Sequence, residues 1–149
     1  MVTTGAGGPL TGLGADLLII DDPLKNAQEA RSAVQRETLW DWWLSTASTR
    51  LEPGGAVIVL VTRWHLDDMV GRLLCISGDD DDDQSEQWSV VNLPAIAGDD
   101  DALGRAQGEA LWPERFPLRR LERRRQLLGS YWWSALYQQV PSPPEGDYF

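Results

Sequence analysis

Four consecutive apolar residues, Leu17 to Ile20, are followed by two aspartates and then by Pro23. A short apolar run between chain-breaking residues predicts a strand that is buried on both faces, as in a parallel sheet. We expect this strand to span residues 15–21. Asp21 and Asp22 would then lie at its carboxyl end, the edge at which open α/β sheets bind ligands. The run therefore predicts an α/β fold.

Two interpretations of the acid pair remain open from these residues alone. A carboxylate that is buried without a partner costs several kcal/mol, so a cation or a hydrogen-bond donor is expected beside it. One interpretation is a Walker B strand, in which one acid holds Mg²⁺ on a nucleotide and its neighbour positions a water. The other is a buried strand that ends in a solvated Asp-Asp-Pro turn.

A second continuous apolar strand is predicted over residues 56–61. Between the two strands, Asn26 can cap a helix with Glu29 three residues later, and we expect that helix to span residues 26–49. Four apolar side chains of this helix fall on one helical stripe and are expected in the core: Trp40, Trp43, Leu44 and Ala47. Pro53-Gly54-Gly55 is expected to end the connection. The connection is long enough for a crossover between parallel strands.

The second strand ends in Thr62-Arg63-Trp64-His65, again at the carboxyl edge of the sheet. Asp67 or Asp68 is then expected in the first turn of a helix that runs to about Leu74, where an acid suits the positive end of the helix dipole. A third strand is predicted over residues 88–93, ending at Pro94.

The net charge of −10 is concentrated in two short stretches. Asp79 to Asp83 and Asp99 to Asp101 supply eight of the 23 acids, so the rest of the chain is nearly neutral. The acidity therefore does not exclude a nucleic-acid partner. The single cysteine, Cys75, excludes a disulfide framework and a cysteine-based zinc site. No apolar run approaches the roughly 20 residues of a membrane span. We expect a soluble, intracellular protein.

Arginine is concentrated near the end of the chain. A helix is predicted over residues 118–128, with a break at Gly129 and a second short helix over residues 131–139. Two interpretations of the first helix remain open: contact with phosphates, or a solvated face with Glu122 as a partial partner. Its five arginines are Arg119, Arg120, Arg123, Arg124 and Arg125.

Five stretches, taken in order, resemble the large subunit of the terminase of tailed bacteriophages, the motor that pumps DNA into a procapsid. Each match is weak by itself, and the order and spacing of the set make it specific. The stretches are Thr11 to Glu29, which contains the acid-ended strand; Val61 to Leu74; Leu93 to Ala95; Leu111 to Glu114; and Ala135 to Pro141, which ends in Tyr-Gln-Gln-Val-Pro.

The resemblance implies part of a P-loop ATPase core of the ASCE type, with parallel strands and crossover helices, followed by a small helical region. It implies three parts: a partial ATPase core over residues 1–115, a helical linker over residues 116–140, and a Pro-rich tail over residues 141–149 that leads towards a nuclease domain.

The resemblance also implies roles for four residues around Mg²⁺ and ATP. Asp21 matches the acid that holds Mg²⁺, and Asp22 matches the catalytic carboxylate that orients the attacking water. Many relatives carry glutamate at the second position, so the shorter Asp22 requires a closer water. Thr62 and Arg63 match the coupling motif that senses the γ-phosphate.

The partners implied by the resemblance are double-stranded DNA, the small terminase subunit, the portal protein and further copies in a ring, all in the host cytoplasm. The family's Walker A loop, with its lysine, lies upstream of Walker B. Only sixteen residues precede Leu17, and none of them is lysine. The glycine-rich residues 1–14 also lack the Gly-Lys-Ser/Thr ending of a phosphate loop. We therefore expect the chain by itself to bind ATP poorly or not at all. The family's nuclease acids would follow Phe149.

Three other functions remain as alternatives. The chain fits a fragment of another P-loop helicase or translocase, against which Thr62 to His65 and the Tyr-Gln-Gln-Val-Pro ending argue. It also fits a non-catalytic acidic interaction protein. A metal-dependent nuclease is less favoured, because two adjacent acids without further ligands seldom build a two-metal site.

Overall fold

A computed structural model describes residues 5, 8, 12, 14–77 and 87–142. The chain forms two compact units, one of residues 1–61 with 67–75 and one of residues 62–66 with 76–149. The regular elements, in chain order, are β1 (Ala15–Asp21), α1 (Ala27–Arg31), α2 (Ala33–Trp42), β2 (Leu51–Leu60), α3 (Met69–Ile76) and α4 (Leu118–Leu136).

Strands β1 and β2 pair in parallel, with Leu17 opposite Ala56 and Asp21 opposite Leu60. Parallel neighbours cannot be joined by a hairpin, and here α1 and α2 form the crossover between them. The predictions of an α/β fold, of a strand over residues 15–21 and of a parallel second strand are confirmed. In the described part of the chain the sheet consists of these two strands.

The prediction that both faces of the sheet are buried is wrong. Alternate residues of a strand point to opposite faces, and only the face of Ile20, which is 4% exposed, is well covered. The opposite face carries apolar side chains that are about half exposed: Leu17, Ile19, Ile58 and Leu60.

Pro53-Gly54-Gly55 lies inside β2, and not before it as the sequence suggested. The register shifts here, since Ala15 pairs with Leu51 and Leu17 already pairs with Ala56. Gly54 has a φ of 82°, and a Cβ at Gly55 would lie 3.0 Å from the backbone oxygen of Ala15. Glycine is therefore needed for this bulge.

The single helix predicted over residues 26–49 is interrupted. Asn26 caps α1 as expected, since its Oδ1 accepts from the backbone N–H groups of Gln28 and Glu29 at 2.9 and 3.0 Å. Ser32 then leaves the helical region with a ψ of 111° and caps α2 through its hydroxyl. A serine hydroxyl favours such a cap over a helix interior.

After α2 the chain continues as a π-helical turn, Trp43–Ala47, and a 3₁₀ turn, Ser48–Arg50. Trp43 and Ala47 are buried as predicted, and Trp40 is partly buried. Leu44 is 51% exposed, so its assignment to the core is wrong. The wider π turn shifts the positions of side chains relative to a continuous α-helix.

An ion-pair cluster joins α2 to the start of α3. Asp67 accepts from Arg36 Nε at 3.0 Å and from Arg72 Nε at 2.7 Å, while Arg72 also pairs with Glu37. The hydrogen bond from Arg72 lowers the pKa of Asp67 from 3.8 to about 2, with a further contribution from Arg36. Asp68 caps α3, with its Oδ1 2.8 Å from the N–H of Gly71, which confirms the predicted helix start.

We predict that Asp67→Asn lowers the free energy of unfolding at pH 7 by up to about 1 kcal/mol, because the half-exposed carboxylate is screened by solvent. The lowered pKa of Asp67 means that its contribution is present above about pH 4 and is lost as the pH falls towards 2. Urea denaturation at pH 7, 4, 3 and 2 should therefore show a difference from wild type that shrinks with acidity. Asp41→Asn, at an exposed position, is the control; a constant difference across this range would contradict the prediction.

In the second unit, Ala110, Leu121 and Trp133 form a core cluster, and Trp133 stacks on Tyr137 at 4.9 Å. Ile96 and Ala110 form an antiparallel bridge. The third strand predicted over residues 88–93 is wrong, since residues 87–94 are irregular. Val90 and Val91 are 62% and 75% exposed, so these β-branched residues have no packing surface to stabilise a strand.

The second acidic stretch has a structural role. The Asp101 side chain is fully covered and pairs with Arg105, whose Nε lies 3.1 Å from Asp101 Oδ1. This hydrogen bond lowers the pKa of Asp101. Arg105 also donates to the carbonyl of Pro94 at 2.9 Å. The pair therefore fixes the loop between Pro94 and Ala110.

Helix α4 is interrupted at Gly129, which has a φ of 73°, so the predicted break is confirmed. None of the helices formed by the described residues is long and apolar enough to cross a bilayer. The acidic residues 78–86, most of residues 1–14 and the Pro-rich tail beyond residue 142 lie outside the described residues. The division at residues 115 and 140 stays a prediction.

Candidate functional site

The acid pair lies at the end of the parallel ladder. Asp21 is the last residue of β1 and pairs with Leu60. The N–H of Asp22 donates to the carbonyl oxygen of Leu60 at 2.9 Å, so the ladder continues one residue beyond the strand. Both aspartates are exposed. Since solvent reaches them, burial does not by itself require a cation here.

Asp22 has a left-handed backbone conformation, with a φ of 42°. Among the described non-glycine residues, only Asp22 and Gln139 have a positive φ. This region costs most residues about 1–2 kcal/mol, although aspartate and asparagine tolerate it better than others. Strained backbone persists where the surroundings hold it, and it is enriched at functional sites. The backbone turns sharply at the residue that follows the strand.

The donor set restricts which metal complex the pair can bind. The described residues contain no group of three or more His, Cys, Asp or Glu that could hold a metal ion. Mg²⁺ in nucleotide sites is held by one or two carboxylates, with phosphates and waters as the other ligands. Two adjacent, exposed carboxylates fit such a complex, and they do not provide the ligands of a two-metal nuclease.

We predict that Asp22→Asn changes the free energy of unfolding by less than about 0.5 kcal/mol, because asparagine also tolerates the left-handed region. Asp22→Val should lower it by about 1–2 kcal/mol, since a β-branched residue is strained there. Urea denaturation compares the two, with Asp22→Gly as a reference that removes the strain. Equal stability of all three variants would contradict a conformational constraint at this position.

Thr62 and Arg63 belong to the second unit, whereas Asp21 and Asp22 belong to the first. Both Thr62 and Arg63 are partly buried. The N–H of Trp64 donates to the carbonyl of Thr62 at 2.9 Å, which makes a tight turn directly after the threonine.

The ring of Trp64 fixes this segment to α4. Trp64 meets Trp132 edge to face at 6.1 Å, and Trp132 meets Tyr131 at 4.9 Å. Such pairs contribute about 0.5–1.5 kcal/mol beyond the area that they bury. The indole Nε1 of Trp64 is buried without a hydrogen-bond partner in the described part of the chain. The aromatic contacts therefore hold the residue that follows Arg63 despite this cost.

Gln139 is a residue of this site that sequence reasoning did not assign. Its Oε1 accepts from the backbone N–H of Arg63 at 3.4 Å, and its Nε2 donates to the carbonyl of Leu136 at 3.2 Å. Gln139 is also the second left-handed residue, with a φ of 59°. It lies 76 positions from Arg63 in sequence, so only its place in the Tyr-Gln-Gln-Val-Pro stretch could have marked it.

The side chain of the neighbouring Gln138 forms the two backbone hydrogen bonds with Ile96 that an adjacent strand would otherwise form. Its side chain accepts from the N–H of Ile96 at 3.1 Å and donates to the carbonyl of Ile96 at 3.0 Å. The carbonyl of Tyr137 accepts from the N–H of Ala95 at 2.7 Å. Three separate stretches, around Arg63, Ala95 and Gln139, therefore meet at the end of α4.

We predict that Gln138→Ala lowers the free energy of unfolding by about 1–3 kcal/mol, because both backbone groups of Ile96 lose their partner. The matched control is Gln126→Ala on the exposed side of α4, which should change it by less than about 0.5 kcal/mol. Thermal and urea unfolding measure both variants. Equal effects would show that the two bonds to Ile96 do not stabilise the fold.

Comparison with known proteins adds one match. Residues 3–138 match the family model described as "Terminase large subunit, T4likevirus-type, N-terminal". No curated protein matches the chain.

Proposed function

The chain belongs to the terminase large subunit family of the T4likevirus type, to its N-terminal part, and we propose that it forms part of an ATP-driven motor that translocates DNA into a viral procapsid. The family match supports a role in phage DNA packaging. The match over residues 3–138 contains four of the five stretches that carry the resemblance, and it reaches into the fifth, Ala135 to Pro141.

The observation that carries the proposal is the acid pair at the carboxyl end of β1, beside the parallel strand β2. In the proposed P-loop core of the ASCE type, Asp21 would hold Mg²⁺ and Asp22 would orient a water. When bound, Mg²⁺ neutralises part of the phosphate charge, and ATP supplies the γ-phosphoryl group. Positioning and electrostatic stabilisation provide most of the catalysis in such reactions.

The left-handed backbone of Asp22 supports its proposed role. Asp21 has strand geometry, whereas the backbone of Asp22 is left-handed although its N–H still bonds to Leu60, so the regular alternation of side chains along β1 ends at Asp21. One carboxylate could then bind Mg²⁺ while the other orients a water. Two acids that continued a regular strand would instead point to opposite faces of the sheet.

Thr62 and Arg63 follow β2 directly and are proposed to sense the γ-phosphate. The hydrogen bond from Arg63 N–H to Gln139 and the contact of Trp64 with Trp132 link this segment to α4. These contacts, all within the second unit, fix the segment after Thr62 to the end of α4. We propose that residues 1–115 belong to the ATPase core, that residues 116–140 form a helical linker, and that residues 141–149 lead towards a nuclease domain.

The proposed partners are double-stranded DNA, the small terminase subunit, the portal protein and further copies of the chain in a ring, in the host cytoplasm. The same acid pair and parallel strands would also suit another P-loop helicase or translocase, and the family match favours the terminase. A non-catalytic interaction protein would bind no nucleotide.

Calorimetric titration with Mg-ATP tests the proposal, on the 149-residue chain and on a prolonged form in which a Walker A segment of the family is joined to its N-terminus. We expect the prolonged form to bind and hydrolyse ATP. Asp22→Ala should lower kcat by about 10²-fold or more while binding is retained. Asp21→Asn should weaken the Mg²⁺ dependence of binding. Asp41→Asn, an exposed acid outside the site, is the control.

Full hydrolysis by Asp22→Ala would overturn the assignment of this carboxylate. A prolonged form that folds and ignores ATP would favour the non-catalytic interaction protein.

A further inference from the structure

The first half of α4 presents an unusual number of unpaired cations. Its five arginines are exposed, and among the described residues none of them forms an ion pair: Arg119, Arg120, Arg123, Arg124 and Arg125. The predicted solvated face is therefore present, but Glu122, which lies between these arginines, forms no ion pair among the described residues, so its predicted role as a partial partner is not found.

Arginines elsewhere in the chain are used differently. Arg36, Arg72 and Arg105 each pair with a carboxylate and are largely covered, with side chains 10%, 20% and 11% exposed. Residues 112–127 carry six arginines against two glutamates, in a chain whose net charge is −10. Within the described part of the chain, the arginines of this segment therefore do not form the ion pairs with carboxylates that stabilise the rest of the fold.

Aromatic rings order part of this charge. The guanidinium of Arg115 lies over the rings of Trp112 and Phe116, at 5.1 and 5.5 Å from their centroids. The guanidinium of Arg120 also lies over the ring of Phe116, 5.2 Å from its centroid. A stacked guanidinium keeps its planar N–H donors free for an anion and loses less entropy on binding. Trp112 is itself 52% exposed.

Helical geometry directs Arg119 and Arg123 away from the core. Leu121 is buried against Ala110 and Trp133, which fixes the inner face of α4. At about 100° per residue, Arg119 and Arg123 lie on the side opposite Leu121, and Arg120 lies about 100° away from it. Arg119 and Arg123 are one turn apart, about 6 Å along the axis. We name Arg115, Arg119, Arg120, Arg123 and Arg124 the arginine surface.

We propose that the arginine surface binds the phosphate backbone of duplex DNA. Arginine forks match phosphate oxygens, and exposed, unpaired arginines beside aromatic rings are typical of a surface that binds nucleic acid. The choice of duplex DNA rests on the proposed function, whereas the phosphate chemistry rests on the surface itself. Backbone contacts of this kind carry no sequence preference.

Fluorescence anisotropy with a labelled duplex of about 30 base pairs, titrated without nucleotide between 50 and 200 mM NaCl, tests the proposal. Each lost phosphate contact should reduce the slope of log K against log salt by about 0.9. Arg119→Gln with Arg123→Gln should therefore reduce it by about 2 and weaken binding about tenfold. Both side chains are exposed, so circular dichroism and thermal unfolding should match wild type.

The matched control removes two arginines from the first unit, Arg31→Gln with Arg50→Gln. It should leave the slope unchanged. An equal loss in this control would overturn the proposal in favour of general charge attraction, and so would an absence of salt-dependent binding by the wild type. If Arg119→Gln with Arg123→Gln instead altered only self-association in sedimentation, an acidic surface of a second copy would be the partner, and the proposal would be wrong.

The nucleotide-site variant Asp22→Asn separates this inference from the proposed function. It should bind duplex DNA like wild type, because Asp22 lies outside the arginine surface. If Asp22→Asn loses ATP hydrolysis and still binds DNA, the inference about the arginine surface stands. If the wild type hydrolyses ATP and the arginine variants bind DNA as the wild type does, the inference is wrong and the proposed function is unaffected.

Discussion

The parallel pairing of β1 with β2 is the interaction on which the candidate site depends. It sets Asp21 opposite Leu60 and lets the N–H of Asp22 bond to the same residue, so the acid pair is held at the end of the ladder. Parallel pairing in turn requires the crossover of α1 and α2, because neighbouring parallel strands cannot be joined by a tight turn. The cap at Asn26, the turn at Ser32 and the ion pairs of Asp67 stabilise that crossover.

The chain uses its charged residues in two ways. Arg36, Arg72 and Arg105 complete the fold by pairing with carboxylates, and two of those acids have lowered pKa values as a result. The arginines of α4 and the pair Asp21 and Asp22 are exposed instead. The exposed arginines of α4 are available to anions.

Local chemistry made much of the fold predictable. A strand bounded by Asp22 and Pro23, a cap at Asn26 and a break at Gly129 each depend on neighbouring residues, and all three are confirmed. The strand predicted over residues 88–93 depended on a pairing partner that the described residues do not supply. Gln139 could not be assigned to the site from spacing, because its bond to Arg63 joins distant parts of the chain. The position of the acid pair at the end of a parallel strand could be predicted from the sequence, whereas the left-handed φ of Asp22 could be seen only in the structure.

The proposal that Asp21 and Asp22 bind a metal–nucleotide complex is tested most directly by amide NMR. Spectra of the prolonged form of the chain are recorded with paramagnetic Mn²⁺ in place of Mg²⁺. Mn²⁺ with ATP should broaden the resonances of residues 20–23 selectively, and Mn²⁺ without ATP should broaden them far less, because two carboxylates alone bind the ion weakly. Selective broadening at Asp79 to Asp83 with residues 20–23 unaffected would contradict a metal site at the acid pair, since the ion would then lie elsewhere.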